Sequence, residues 1–368
     1  MKKINVAIIF GGKSAEHEVS LQSAKNVLDA IDKEKYNPVL IGIDKTGRWL
    51  LRDKSKFLIH ADNPNLIELN QSNDVVTFAP ESNGKISTIS DLQDKGAIDV
   101  AFPILHGPMG EDGTIQGFLK LANIPFVGAG VLGSAVGMDK DVMKRLLRDA
   151  GIPIAKFIAL RSSEGIPNFA EVSKRLGVPF FVKPANMGSS VGINKVTTAS
   201  EYISALKEAF SFDLKIVIEE FIDGREIECA VLGNDQPMAS TLGEIVACHD
   251  FYSYKAKYID ENGAVLEIPA KLPEETIQRA RELSIRVFKV LSCEGLGRVD
   301  MFLRTDGRLI VNEINTIPGF TRISMYPKLW EASGISYSEL IDRLIQLAME
   351  RFNHEKKLKT SYTQETLS

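Results

Sequence analysis

The sequence predicts a mixed α/β and α+β chain in three parts, and three observations predict it. Apolar runs of strand length alternate with helical patterns over the first third, as in a parallel α/β unit. A short stretch of mixed strands and helices follows. The last third is rich in antiparallel patterns, the clearest being two strand runs around Asp306-Gly307. The expected parts are an N-terminal parallel α/β domain over 1–128, a small central α+β domain over 129–216 and a C-terminal antiparallel-sheet domain over 217–368. A chain of 368 residues exceeds what one hydrophobic core usually serves.

The elements follow in order. Ile4 to Phe10 is a nearly continuous apolar run, expected of a strand buried on both faces, and Gly11-Gly12 ends it. Leu21, Ala24, Leu28 and Ile31 mark the inner face of a helix. "NPVLIGIDKTGRWLL" reads as a strand, a turn at Thr46-Gly47 and a second short strand. Residues 53–95 are polar and turn-rich and are expected to form a variable excursion. "IDVAFPIL" is a further buried strand, running through the glycine-rich "HGPMGEDGTIQG" into a helix, and "PFVGAG" is one more strand. In the middle part "MDKDVMKRLLRDAGI" is a helix with Val142, Met143, Leu146, Leu147 and Ala150 on one face and Gly151 at its stop. "KFIAL" and "FFVKP" are strands, and "INKVTT" leads into a helix over about 199–210. "KIVIEEFI" opens the third part. The strands "REIECAVLG", "AVLEIPA", "GRVDMFLR" and "RLIVNEIN" follow, with helices over about 273–292 and 335–352.

Composition narrows the partners. With 44% hydrophobic and 25% charged residues and a formal charge of −4, the chain lacks the basic footprint of a nucleic-acid or acidic-membrane binder. No stretch approaches the ~18 apolar residues of a membrane span. The N-terminal apolar run ends in Gly-Gly rather than in a small-residue cleavage site, so a cytoplasmic location is expected. Cys229, Cys248 and Cys293 are odd in number and widely spaced, fitting neither a disulfide framework nor a zinc site.

The Asp306-Gly307 hairpin carries the sharpest local inference. A two-residue loop there sets Thr305 opposite Arg308, and the same count sets Asp300 opposite Glu313 and Arg298 opposite Asn315. Two facing carboxylates repel each other and are tolerated where a cation lies between them. Asn315 adds an oxygen on the same face, and three hard oxygen ligands with open positions suit Mg²⁺. A solvated hairpin face would show the same spacing. Phe302 and Val311, read as apolar neighbours on that face, and the "TIPGF" loop beyond it favour a site.

"FVKPANMGSSVG", from Phe181 to Gly192, holds a second constellation. It is not a Walker A loop, because Lys183 precedes the glycines. Lys183 closes a strand, Gly188 allows close approach to a ligand, and Ser189 and Ser190 offer donors to phosphate oxygens. An exposed turn beside a snorkelling lysine is the plainer alternative. "GAGVLG" at 128–133 matches G-x-G-x-x-G, but the acidic residue about 20 positions on, Asp149, falls inside a helix rather than at a strand end.

These pieces, in this order, resemble the ATP-grasp superfamily, and more closely the D-alanine–D-alanine ligases. The matching stretches are "GGKSAEHEVSL" at 11–21, "HGPMGEDGTIQG" at 106–117, "MDKDVMK" at 138–144, "VKPANMGSSVG" at 182–192, "EEFIDGREIECAVLG" at 219–233, "FYSYKAKY" at 251–258, "GLGRVD" at 295–300 and "NEINTIPGFT" at 312–321. The resemblance implies an ATP-grasp fold behind the N-terminal α/β domain. It also implies a reaction: ATP phosphorylates the carboxylate of a first D-alanine, the amine of a second attacks the acyl phosphate, and loss of phosphate gives the dipeptide used in peptidoglycan.

The resemblance further implies site residues. Glu16 would hold the first substrate's ammonium, although a carboxylate there also suits a helix N-terminus. Lys140, Lys183, Ser189, Ser190 and Lys257 would contact ATP phosphates, with a helix-surface lysine as the alternative for Lys140. Glu219 and the backbone of Phe221 and Ile222 would recognise adenine. Glu226 would bind the ribose, although Glu226 and Glu228 could simply be solvated on one strand face. Asp300, Glu313 and Asn315 would hold two Mg²⁺, for which Mn²⁺ could substitute. Arg298 and the N–H of Gly319 would stabilise the tetrahedral oxyanion. Ser324 and Met325 would bind the second carboxylate. His106 would lie near the second substrate or serve as a structural loop histidine. Ser189 and Tyr258 would bond to each other and to Glu16, closing a lid. A tyrosine in "AKY" accompanies D-alanine as second substrate, so Tyr258 points to the dipeptide. The alternatives are ligation to D-serine or D-lactate, or another ATP-grasp carboxylate–amine ligation. The partners implied are ATP, D-alanine and a second copy of the chain in a homodimer through the N-terminal region. Residues 53–95 form a longer stretch than in compact members of the family.

Overall fold

The computed structural model describes residues 2–53, 57–60, 63, 66–70, 74–247, 264–321 and 323–361. Apolar runs set the first sheet. Strand β1 (Ile4–Gly11) lies between β2 (Tyr36–Ile43) and β9 (Val100–Ile104), both parallel to it, and β3 (Trp49–Arg52) adds an antiparallel edge. Val6 to Phe10 are wholly buried, as a strand covered on both faces requires. Helix α1 (His17–Ala30) packs Leu21, Ala24, Val27 and Leu28 on one face, and α2 (Thr114–Leu121) packs Ile115 and Leu119 on the other. "PFVGAG" forms a single bridge, Ala101 with Phe126, instead of the expected strand. Only the groups flanking Phe126 are used: Pro125 O accepts from Ala101, Val127 N donates to it, and the chain then turns at Gly128.

The expected excursion after β3 contains short strands. β4 (Leu58–Ile59) pairs with β5 (Glu68–Leu69), while β6 (Val76–Phe78), β7 (Lys85–Thr88) and β8 (Asp94–Ala97) form a small sheet. Val76, Phe78 and Ile86 are buried there beside Trp49 and Phe118. Segments of two to four residues are too short for periodicity to reveal.

Helices α3 (Val131–Met138) and α4 (Lys140–Asp149) lead to a four-stranded antiparallel sheet. Its strands are β10 (Phe157–Arg161), β11 (Phe180–Pro184), β12 (Asn194–Val196) and β13 (Lys215–Glu220), in the order β10-β13-β11-β12. Helices α5 (Phe169–Leu176) and α6 (Ala199–Phe212) cover it, each started by a capping box, Asn168 with Glu171 and Thr198 with Glu201. The strand expected to open the third part therefore completes the central sheet, and the 216/217 boundary cuts through β13. In α4 the expected inner face is only half right. Met143 and Leu147 are buried, but Leu146 is 38% exposed, and Lys140, Asp141 and Lys144 are buried instead. Ion partners on neighbouring elements make that exchange possible.

The third sheet runs β16-β15-β14-β17-β18. Its members are β14 (Gly224–Gly233), β15 (Met238–Ala247), β16 (Ala264–Glu267), β17 (Gly295–Arg304) and β18 (Leu309–Asn315). Helix α7 (Glu274–Val290) packs on one face, and α8 (Met325–Ala332) with α9 (Tyr337–Glu355) bridges the other to the first sheet.

The β17–β18 register at the carboxylates is as expected, by a different route. The loop has three residues, Thr305 to Gly307, with Arg304 N donating to Arg308 O at 2.9 Å and Leu303 opposite Leu309. Gly307 takes the left-handed φ of +78° that such loops give to glycine. That shifts the count by one. A bulge then inserts Asn312 between the pairs Met301–Val311 and Asp300–Glu313 and restores it, so Arg298 does face Asn315. Val311, expected on the carboxylate face, is turned by the bulge into the core beside Met301. Phe302 instead packs with Ala155, Ile222 and Ile310.

Candidate active site

The site lies where the central sheet meets the third. Val311 N donates to Pro153 O at 2.8 Å and Ile154 bridges Val311, which fixes β18 against the entry to β10. Lys183, at the end of β11, extends Nζ to within 2.8 Å of Glu219 Oε2 on β13 and 3.5 Å of Asn312 Oδ1 on β18. Lys144 on α4 approaches the same pair from the other side, 3.2 Å from Glu219 Oε1 and 3.3 Å from Asn312 O. Burial pushes the Lys144 ammonium below the usual lysine range. Burial also disfavours the charge on Lys183, but Glu219 outweighs it and holds that pKa up. Burial would raise Glu219, and the two ammonium groups overcome it and hold the carboxylate down. The Glu219 carboxylate, expected at adenine, is thus engaged by two lysines. Ile222 is buried beyond it, Phe221 is exposed, and Glu226 is half-buried and close enough to bear on the charge of Lys183.

Asp300 and Glu313 face each other across the bulge. Arg298 grips Asp300 with two hydrogen bonds, Nε to Oδ1 and Nη2 to Oδ2, both 2.7 Å, and its Nε lies 2.8 Å from Glu228 Oε2. Burial opposes the guanidinium charge, yet Asp300 and Glu228 together push its pKa well up. Glu313 Oε2 is 3.4 Å from Lys140 Nζ. Asn315 Oδ1 is buried with no hydrogen-bond partner among the described residues. An orphaned amide oxygen beside two carboxylates fits a hard cation. No group of three or more His, Cys, Asp or Glu among the described residues could hold a metal, so a cation here would rely on this mixed set and on phosphate or water.

The loop after β11 closes over these groups. Lys140 Nζ donates to Met187 O at 2.7 Å, tying α4 to the loop. Ser189 and Ser190 hold left-handed φ values of +50° and +60°, and the Ser189 hydroxyl donates to Glu16 Oε1. Gly188 leaves room for that approach, since a Cβ there would lie 3.3 Å from Glu16 Oε2, a tight contact. Ser189 and Glu16 are therefore brought together, while Tyr258 and Lys257 lie outside the described residues. Glu111, close to the same place, accepts from Gly107 N at 3.1 Å. Burial, and then the Glu16 charge, push its pKa well above the usual carboxylate range.

His106 is buried with both ring nitrogens engaged. Nδ1 is 3.1 Å from Ile317 O, which can only accept, so that nitrogen carries the proton. Nε2 is 3.4 Å from the Ser23 hydroxyl, which also accepts from Phe320 N. Burial pushes the pKa of His106 down, in keeping with this neutral tautomer. The imidazole thus ties α1 to the "TIPGF" loop that carries Gly319. A Cβ on Gly319 would lie 2.8 Å from Ser324 Oγ, and that oxygen accepts from Thr321 N at 3.0 Å. The Met325 side chain is in the core against Gly243, so only its backbone at the start of α8 can face a ligand.

Residues 5–129 match the D-ala D-ala ligase N-terminus family, and residues 146–346 match the D-ala D-ala ligase C-terminus family. The chain belongs to the D-alanine–D-alanine ligase family. A D-alanine–D-alanine ligase of Shouchella clausii is 56% identical over 363 residues, 98% of this chain and 99% of that protein. The structure of the D-alanine–D-alanine ligase from Coxiella burnetii superposes with a TM-score of 0.85 at 38% identity, covering 97% of each chain. The Bacillus anthracis D-alanine–D-alanine ligase complexed with ATP gives 0.72 at 32% identity, over 96% of this chain and 100% of that one. The fold is the ATP-grasp fold.

Four residues of this D-alanine–D-alanine ligase family member escaped the reading of the sequence as site residues. Lys144 stands one helical turn from Lys140, so i, i+4 spacing could have placed both on one face. Glu228 stands two residues from Glu226 on one strand face, and it is buried against Arg298 rather than solvated. Glu111 lies in the glycine-rich loop before α2, and no signal marked it. Asn312 is exposed as a contact only by the bulge. Of the glycines of "GAGVLG", Gly133 serves packing: it sets α3 against Ser292, where a Cβ would meet the backbone.

Proposed function

We infer that this chain ligates two D-alanines to D-alanyl-D-alanine with ATP, through an acyl phosphate, for peptidoglycan synthesis. The observation that supports the placement best is the convergence of Lys140, Lys183 and Glu313 beneath a loop whose serine reaches Glu16. The Lys140 and Lys183 ammonium groups, with donors from Ser189 and Ser190, would receive the phosphates. Phosphoryl transfer joins the γ-phosphorus to a carboxylate oxygen of the first D-alanine and releases ADP. The free amine of the second D-alanine attacks the acyl carbon, the C–O bond to phosphate breaks, and the amine proton is lost. Arg298, fixed by its two hydrogen bonds to the Asp300 carboxylate, would meet the oxyanion together with the Gly319 N–H. Glu16 would hold the first ammonium. The start of α8, with Ser324 and the backbone of Met325, would hold the second carboxylate. His106 would hold the Gly319 loop in place. Glu219 with the backbone of Phe221 and Ile222 would bind adenine and Glu226 the ribose; Lys257 would contact phosphate, and Tyr258 would bond with Ser189 and Glu16.

Asp300, Glu313 and Asn315 would hold two Mg²⁺, or Mn²⁺ in their place, which would neutralise phosphate oxygens. The three-part division belongs to this proposal, with the second boundary moved from 216/217 to the end of β13 at Glu220. So do a homodimer through the N-terminal part, which sedimentation would test, and a cytoplasmic location. The location is supported by the absence, among the described residues, of a helix long and apolar enough to cross a membrane. A coupled ADP-release assay over D-alanine, D-serine and D-lactate tests the reading. D-alanine is expected to stimulate ADP release most, and no stimulation by D-alanine would refute it.

A further inference from the structure

Lys144, Glu219, Lys183 and Asn312 close a buried ring. Glu219 gives one carboxylate oxygen to each lysine, at 3.2 Å to Lys144 and 2.8 Å to Lys183. Asn312 gives its backbone carbonyl to Lys144 at 3.3 Å and its side-chain oxygen to Lys183 at 3.5 Å. The Lys144 side chain is wholly buried, so it does not reach the ligand cleft itself, whereas the Lys183 side chain keeps an exposed edge. Two ammonium groups share one carboxylate, so the ring carries one positive charge beyond neutrality.

We propose that Lys144 is a positioning residue for ATP: it neutralises Glu219 from behind, and so leaves the charge of Lys183 for phosphate. Without Lys144, Glu219 and Lys183 form a neutral buried pair. Glu219 then has one cation to hold it, and it holds Lys183 more tightly. Pairing that consumes the Lys183 charge weakens its attraction for a polyanion, because in a poorly screened site the net charge decides the interaction. Asn312 keeps both lysines at their distances, which gives the β18 bulge a reason to sit at that residue. This inference rests on Lys183 being a phosphate contact, and the test separates the two.

The experiment compares the affinities of ATP and adenosine, by calorimetry on the full chain with Mg²⁺ present, for the wild type and for Lys144→Met, Lys183→Met, and Lys144→Met/Glu219→Gln. Lys144→Met is expected to lower the ratio of ATP to adenosine affinity at least tenfold, about 1.4 kcal/mol. The double variant is expected to recover most of that ratio, because removing the carboxylate releases Lys183. A purely structural role would weaken both ligands alike or would lower thermal stability alone. An unchanged ratio in Lys144→Met, or no recovery in the double variant, overturns the inference. If Lys183→Met leaves the ratio unchanged, Lys183 is not a phosphate contact and the reading beneath the inference fails instead. Should Lys144→Met not fold, Lys144→Arg carries the test. It keeps the charge behind Glu219 and is expected to keep the ratio, and a ratio as low as in Lys183→Met would overturn the inference.

Discussion

Replacing Arg298 by methionine tests stability and chemistry together. The guanidinium makes two bonds of 2.7 Å to Asp300 and lies 2.8 Å from Glu228, and both carboxylates are buried. Glu228 and Asp300 are direct partners on neighbouring strands, on one face of the sheet. Methionine fills much of the space but leaves two carboxylates about 5 Å apart with no guanidinium between them. At an effective dielectric constant of about 20 their repulsion is about 3 kcal/mol. The lost pairing places the total within the roughly 3–5 kcal/mol typical of a broken buried ion pair. The unfolding midpoint is expected to fall by about 5 °C in a calorimetric scan. Mg²⁺ is expected to raise the midpoint of the variant more than that of the wild type, because Asp300 no longer shares its oxygens with Arg298 and the cation stabilises whichever state it binds. In the coupled ADP assay kcat is expected to fall at least about 100-fold, as for a lost oxyanion donor. Arg298→Lys restores the charge without the two-pronged grip, so it is expected to recover stability more than rate. A variant with methionine that melts with the wild type and turns over at its rate would refute the whole argument. A lysine variant with full activity would refute the part that rests on geometry.

Four further outcomes are expected. Glu313→Ala removes both a proposed metal ligand and the partner of Lys140, so turnover in the same assay should be abolished; a wild-type rate would show that the facing carboxylates do not hold the cation. Burial and the Glu16 charge raise the pKa of Glu111, so its stabilising contribution is complete below the usual value of 4.5 and is lost as pH rises through the folded-state value. Glu111→Gln keeps the acceptor for Gly107 and cannot ionise, so its midpoint should gain on the wild type as pH increases; a pH-independent difference in thermal scans would refute this. In Gly188→Ala the new methyl must press on Glu16 from 3.3 Å, so the KM for D-alanine should rise while the unfolding midpoint holds. Burial pushes the thiols of Cys229 and Cys293 up to about 11 and about 12. Neither should be alkylated at pH 8 in the folded protein, and mass mapping that finds either labelled as fast as a free thiol would contradict their burial.

What the sequence reveals depends on how local the signal is. Val6 to Phe10 announce a buried parallel strand because every side chain is apolar. The opposition of Asp300 and Glu313 was legible too, but two unseen irregularities had to cancel: a loop one residue longer and a bulge one residue later. Val311 shows the cost, since it lies between the two irregularities and faces the core. The α4 face was misread because burial of Lys140, Asp141 and Lys144 depends on partners 74 to 173 residues away, as with Glu219, Asn312, Glu313 and Lys215. β13 was assigned to the wrong sheet for a similar reason, since a strand's own residues do not say which neighbours it will pair with.

The bulge at Asn312 does three things at once. It returns Glu313 to the level of Asp300, presents a carbonyl to Lys144 and an amide oxygen to Lys183, and buries Val311 against Pro153 and Ile154. A regular strand could satisfy the core at Val311 or the carboxylate face at Glu313, but not both, because one residue of slip exchanges the two faces. Lys183 on β11, proposed to meet phosphate, is thereby tied through Asn312 to the strand that carries the proposed metal ligands Glu313 and Asn315. Ser189 and Ser190, in left-handed conformations strained for serine, hold the loop over Glu16.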